Sequence, residues 1–189
     1  TITGAIKITL PQSWTSTMMR MTIKVYNYAT DASFTVDCGG YNLSNGTGST
    51  WVNTFAYITA KPGSDRDFQV RFGHDGTKCC IYIGETGTTW SYPKVVVTDF
   101  QAGHANYCSS SWNSGWSINF ATSFGTIYST ETYNQIGKHF IANYVSKTAN
   151  YTLTDGDYFV EASGSTPFTL TLPTAVGRAG KIFFIKRTG

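Results

Sequence analysis

The sequence predicts an all-β chain: an antiparallel β-sandwich or jelly-roll-like domain over residues 1–136, then a short β-rich segment over residues 137–189. Three observations carry this expectation. Apolar and polar residues alternate with period 2 in run after run, and no stretch makes a convincing helix. The composition is 41% hydrophobic and 15% aromatic with 19 glycines but only 13% charged, so Thr, Ser and Asn fill the polar positions that Lys and Glu would take on helices. Turn pairs such as Asp75-Gly76, Asp155-Gly156 and Ala179-Gly180 punctuate the runs.

Residues 2 to 10 open with a strand in which Ile6, Ile8 and Leu10 share a face, and Pro11 closes it. From Met18 to Tyr28, Met19, Met21, Ile23 and Val25 fall on one side, with Arg20, Thr22, Lys24 and Tyr26 on the other. Phe34, Val36 and Cys38 continue the pattern, and Gly39-Gly40 is expected to stop it. Tyr41 to Thr50 reads as a display loop around an Asn-Gly turn. Trp51 to Ala60 reads as a strand, followed by a Lys61-Pro62-Gly63 turn.

The stretch Phe68 to Gly103 dictates its own shape most clearly. Phe68, Val70 and Phe72 alternate with polar residues, Asp75-Gly76 supplies a hairpin turn, and Cys79 to Ile83 returns as the partner. The Tyr92-Pro93 pair predicts an extended approach to a third strand led by Val95 and Val97, which would complete a meander. Trp116, Ile118 and Phe120, then Phe124 to Tyr128, add further strands, for about eight or nine in a sandwich of this kind. Glu131 to Tyr144 loses the alternation and marks the passage to the second segment. There, strands are expected around 151–153, 158–161, 168–172 and 181–186. A sheet of about 40 residues is marginal alone, so stacking on the first unit, on symmetry mates or on a continuation past Gly189 is expected.

Composition excludes several function classes. The net charge of +3 gives no reason to invoke nucleic acid, and the terminal cluster Arg178, Lys181, Lys186 and Arg187 reads as a solvated strand face. No apolar run approaches the ~20 residues of a membrane helix, so no membrane insertion is expected. The sequence starts at Thr1 with no visible signal peptide, so a fragment, a processed product or the ordered part of something longer is expected. Cys38, Cys79, Cys80 and Cys108 lack CxxC spacing, and neighbours Cys79 and Cys80 must face opposite ways on a strand. Buried thiols are expected, without a bridge, metal or cofactor.

The ordered segments GAIKITLPQSWTSTMMRMTIKVY, FTVDCGGY, RFGHDGTKCCIYIGE and WSYPKVVVTDFQAG together resemble a β-rich module of bacteriophage tail-fibre and other phage structural proteins, over most of residues 1–136. The segment YTLTDGDYFVEASGSTPFTLTLPTAVGRAGKIFFIKRTG resembles the short β-strand units of phage fibres, in which strands from three chains wind together. The resemblance implies a homotrimer in the virion tail, assembled in the bacterial cytoplasm, contacting other virion tail proteins and serving host attachment. Some fibre tips hold a metal on His-x-His pairs. His74, His104 and His139 stand apart, so no metal site is carried over.

A non-enzymatic, receptor-binding part of a tail fibre is the leading expectation, with a host-surface glycan as ligand. The alternatives are a surface-polysaccharide depolymerase and a purely structural shaft or decoration protein. Trp51, Trp90, Trp112 and Trp116 stand in or beside loops rich in Asn, Ser and Gly, where an aromatic face can pack on a pyranose and amides can bond its hydroxyls. The expected ligand surface joins the loops 41–50, 85–90 and 106–116, with Tyr41, Asn45, Trp90, Trp112 and Asn113 as contacts. No residue is expected to be catalytic. Asp65, Asp67, Asp75, Glu85 and Asp99 could include a hydrolytic pair, but turn and surface roles account for them. His74 beside Asp75 reads as a solvated hairpin histidine, since no GxSxG or HExxH frame accompanies it. Asn42, Asn45 and Asn150 match the glycosylation pattern, which is frequent by chance and would be irrelevant in the phage protein made in bacteria that the resemblance implies.

Overall fold

A computed structural model of the chain describes residues 1–29, 32–61, 64–103, 109–136, 143–177 and 180–188. The chain divides into two compact units, Thr1–His139 and Phe140–Gly189. Among the described residues the only helical elements are two 3₁₀ turns, Gly46–Gly48 and Ser109–Trp112; the rest is strand and connection. His104, Asn106, Cys108, His139 and Arg178 lie outside the described residues, as do Pro62 and Gly63 of the expected turn.

The first unit contains β1 (Ile2–Thr3), β2 (Ala5–Thr9), β3 (Thr17–Tyr26), β4 (Phe34–Leu43), β5 (Thr50–Ala60) and β6 (Val70–His74). It continues with β7 (Cys79–Ile83), β8 (Thr89–Trp90), β9 (Lys94–Gly103), β10 (Ser117–Ala121), β11 (Thr126–Glu131) and β12 (Gln135–Ile136). One five-stranded sheet runs β10-β2-β7-β6-β11 and the other β12-β5-β4-β3-β9; β1 pairs with β8 separately. Every pairing is antiparallel except β12 with β5.

The two sheets form a sandwich because each offers one dry face. Ile6 and Ile8 on β2, Phe72 on β6 and Ile81 on β7 meet Met21 and Ile23 on β3 and Val36 on β4, all fully buried in one cluster. Each such side chain contributes about 1.5–3 kcal/mol by leaving water. The period-2 reading of β2, β3 and β4 therefore holds residue for residue. β7 is buried throughout, because its other face carries Cys80 and Tyr82 into a second cluster with Ala5, covered by Ala121, Phe124 and Ile127. Cys79 and Cys80 do point opposite ways, and burial pushes the Cys38 and Cys79 thiols up to about 12. Cys38, Cys79 and Cys80 are free thiols.

Four local expectations are corrected. The stretch from Phe68 is not a single meander: β6 and β7 form the expected hairpin, but β9 joins the opposite sheet along β3. Hydrophobic burial decides this, since Val95 and Val97 fill the core from the opposite side. Tyr92 is not extended. It takes φ +46°, a strained region for a residue before proline, and is fixed there by Ser91 N–H to Asn27 Oδ1 and Tyr28 N–H to Ser91 O, both 2.7 Å. Gly39-Gly40 does not stop β4, which runs on to Leu43. A Cβ at Gly39 would lie 2.1 Å from Met19 O, so glycine there permits close approach of strands rather than ending one. Asn42, in the expected display loop, is fully buried: Oδ1 accepts from Thr17 N–H at 2.7 Å and the amide donates to Ser13 O at 2.9 Å.

The passage at Glu131–Tyr144 begins inside the first unit. Gln135 is buried beside β5, accepting from Arg66 N–H at 2.8 Å and donating to Ser64 O at 2.7 Å.

The second unit contains β13 (Tyr144–Lys147), β14 (Tyr151–Thr152), β15 (Phe159–Ala162), β16 (Leu170–Thr171) and β17 (Phe184–Arg187). Strands form near the four expected places, with β13 in addition, and all their pairings are parallel: β13-β15-β17 in one ladder and β14-β16 in another. Successive turns of chain thus stack in the manner of a coil. Leu153, Val160 and Asp157 are buried inside it, and the Asp157 carboxylate accepts from Thr154 N–H at 2.7 Å and Tyr151 O–H at 2.9 Å. Burial pushes that carboxyl up, but these bonds outweigh it and hold its pKa below the usual value. Outside, Tyr144, Phe159 and Phe184 stand in register, and Phe159 and Phe184 stack at 5.0 Å while nearly half exposed.

Candidate functional site

The residues expected to form a ligand surface do not come together. Trp90 is 1% exposed; its Nε1–H donates to Gly4 O at 2.7 Å, and its ring packs on Phe34 and Phe68. Trp112 is 4% exposed against Phe100, and Trp51 is buried with Nε1–H on Gly73 O at 3.0 Å. These indoles belong to the core, where an area of their size stabilises most. The loops divide between opposite ends of β7. Ser111 O meets the Gln12 amide and Gly115 O the Lys78 ammonium beside Cys79, and Ser44 is bonded to Ser16, whereas Glu85 follows the Ile83 end. Asn45 and Asn113 remain exposed in their turns, and Tyr41 lies in β4.

The carboxylates and the histidine have structural partners. Asp67 accepts from Asn134 N–H and Gln135 N–H, and Glu85 pairs with Arg71 at 2.6 Å. Asp75 accepts Thr77 N–H and Lys78 N–H at 3.0 and 2.8 Å and binds the Lys7 ammonium at 2.8 Å. Partial burial pushes the Asp75 carboxyl up, but Lys7 and the turn amides outweigh it and hold it well below the carboxylate range. Asp99 accepts Thr98 O–H at 2.9 Å on an exposed bulge. Among the described residues, no three His, Cys, Asp or Glu side chains gather as a metal site.

His74 is not simply solvated. Its ring stacks on Trp14 at 5.1 Å, Nδ1 accepts Gly76 N–H at 3.0 Å, and Nε2 lies 2.8 Å from Ser13 Oγ. With Nδ1 accepting, the neutral ring carries its proton on Nε2 and donates to Ser13, so this pair lacks the free base that a serine nucleophile needs. Burial lowers the His74 pKa, and the Asp75 charge opposes it. The neutral form is therefore worth stability that is complete above the unfolded value of 6.5 and declines as pH falls from there to the lowered folded value. The melting temperature should drop between pH 7.5 and 5.5, and His74→Gln should flatten that drop; an unchanged slope would remove His74 as its cause.

The strongest candidate site is the wet face of the second sheet. Alternation on β3 sends Met18, Arg20, Thr22, Lys24 and Tyr26 outward while their neighbours fill the core. Register sets Gln101, Arg20, Gly39 and Phe55 in one row across four strands, and Thr98, Thr22, Asp37 and Tyr57 in the next. Thr22 O–H donates to Asp37 Oδ1 at 2.6 Å, and the Phe55 and Tyr57 rings lie 5.8 Å apart.

Two β-bulges shape this face. In β9, Asp99 at φ +53° sits in a register shift opposite Met21; in β5, Asn53 at φ +50° sits in one opposite Gly40. Each adds a residue, bends its strand and re-aims the side chains beyond it, as bulges beside binding sites do. The bent strands flank a hollow of ≈ 520 Å³ lined by Met18, Gly40, Tyr41, Asn53 and Phe55. Across Met18, 62% exposed, lies a second of ≈ 290 Å³ lined by Arg20, Gln101, Ala102 and Gly103. Of the residues expected from sequence, only Tyr41 falls in this place. Alternation alone places Arg20 and Lys24 on the wet side of β3, whereas the hollows beside them depend on bulges that alternation does not encode.

No protein-family model matches the chain, and the comparisons with curated proteins and with solved structures found no match.

Proposed function

We propose that this chain is a non-enzymatic attachment module of a phage tail fibre that binds host-surface carbohydrate on the wet face of its second sheet. The observation that carries the binding role is the hollow lined by Gly40, Tyr41, Asn53 and Phe55, with the Tyr57 ring 5.8 Å from that of Phe55, so that aromatic rings and an amide stand together at the surface. An aromatic face packs on the apolar face of a sugar ring while amides and hydroxyls bond its edge, and a shallow site of this kind binds weakly. A homotrimer would strengthen it by avidity. The second unit supports that assembly, since its parallel ladder leaves Phe159, Phe184 and Ile185 open to solvent, more apolar surface than so small a unit keeps when alone.

The fibre assignment itself rests on the resemblance of the ordered segments. Tyr57, 53% exposed, is the probe of choice because its ring holds nothing in the core. Tyr57→Ala should weaken attachment to susceptible cells about tenfold or more, the equivalent of roughly 1.4 kcal/mol, while the melting temperature stays within about 1 °C. Undiminished attachment would move the site elsewhere. Incubation with host polysaccharide should release no new reducing ends; steady release would make the protein a depolymerase.

A further inference from the structure

The glycan reading leaves open what kind of sugar the face takes, and its charges bear on that. Arg20, Lys24 and Lys94 project from the same face of β3 and β9, all exposed and none with a hydrogen-bond or ion-pair partner among the described residues. Asp37 and Asp99 accept the hydroxyls of Thr22 and Thr98, and neither forms an ion pair with these cations. Most surface cations need no explanation, but Arg20 is placed unlike the others. It lines the smaller hollow with Gln101, its Cα neighbour on β9, while its neighbour on β4 is Gly39, which extends no side chain toward it. An unpaired guanidinium therefore stands at the edge of a shallow, open depression, one exposed methionine away from the aromatic hollow.

Resting on the carbohydrate reading, we propose that the face binds an acidic glycan, with Arg20 clamping its anionic group in the Gln101 hollow while the adjoining sugar lies in the hollow of Tyr41 and Phe55. The guanidinium fork matches a carboxylate or a phosphate oxygen pair in a bidentate bond that a lysine cannot form. Gln101 supplies a neighbouring donor for a hydroxyl or for the same anion. Lys24 and Lys94 lie farther along the sheet and add an attractive field that steers a polyanion without fixing it. The occupant spans at least two residues, because Met18 separates the two hollows.

The test uses the whole chain on a glycan array that carries neutral, uronate-bearing, sialate-bearing, phosphate-bearing and sulfate-bearing oligosaccharides. Acidic members should bind, with the carboxylate and phosphate arms identifying which anion the fork holds. The best uronate or sialate ligand should bind about tenfold or more tightly than its own methyl ester, which keeps the ring and removes the charge. Arg20→Gln should remove that preference, so that acid and ester bind about equally, with an unaltered melting temperature, since Arg20 bonds nothing in the fold. Binding confined to neutral glycans, or equal for acid, ester and Arg20→Gln, would overturn the acidic preference and leave the carbohydrate reading standing. Silence across the array together with normal cell attachment by Tyr57→Ala would sink that reading and this inference with it.

Discussion

Trp90→Ala is expected to destabilise the first unit by about 3–5 kcal/mol, the usual cost of deleting a large aromatic ring from a packed core. For a unit of this size, that corresponds to a fall in melting temperature of roughly 10 °C or more. The ring fills the space between Phe34 and Phe68, and its Nε1–H is the partner of Gly4 O. Truncation would leave both a cavity and an unpaired buried carbonyl, so Trp90→Phe should recover much of the packing while still losing the bond. Thermal unfolding of the two variants against the wild type separates these contributions. A melting temperature that did not change with Trp90→Ala would show that the ring lies at the periphery.

Trp90 also shows why part of this fold escapes a reading of the sequence. Its neighbours, Thr88, Thr89 and Ser91 after Gly87, have the composition of a loop, and hairpin geometry does not require a ring there. What buries it is contact with Phe34 and Phe68, with Gly4 O as the partner of its Nε1–H, all distant from it in sequence. No local pattern encodes those contacts. The alternation of Met19, Met21, Ile23 and Val25 is different, because a strand with one wet and one dry face must alternate wherever it pairs. Core strands were legible for this reason, and loop tryptophans were not. In the second unit the strands were legible but their parallel stacking was not, since side-chain period does not report pairing direction.

The candidate face lies between these cases. Its outward residues on β3 follow from alternation, yet the hollows depend on the bulges at Asp99 and Asn53, which a strict period-2 count steps over. A signal for them is nevertheless present. Across each bulge the dry positions change parity, from Val95 and Val97 to Phe100 on β9 and from Trp51 to Ala56 and Ile58 on β5. The residue at each shift is an Asp or an Asn, the types that tolerate a left-handed backbone best.

Gly39→Ala should be the most damaging small change on the candidate face, costing about 1–3 kcal/mol or more by overpacking. The added methyl would meet Met19 O at 2.1 Å, the Phe55 ring at 2.9 Å and Arg20 Cα at 3.0 Å. Two of the three atoms are backbone of the adjacent strand, so no rotamer change relieves the contact and β3 must move away from β4. Met18, Arg20 and Tyr41 all hang from those two strands, which means that stability and the proposed glycan binding should fall together. Gly87→Ala is the matching control: its Cβ meets nothing within 4 Å, and the variant should stay within about 0.5 kcal/mol of the wild type. If Gly39→Ala melted normally but lost binding, the glycine would be keeping space for a ligand rather than for the neighbouring strand. If it melted normally and bound normally, the close approach of β3 and β4 would not be what shapes the hollow.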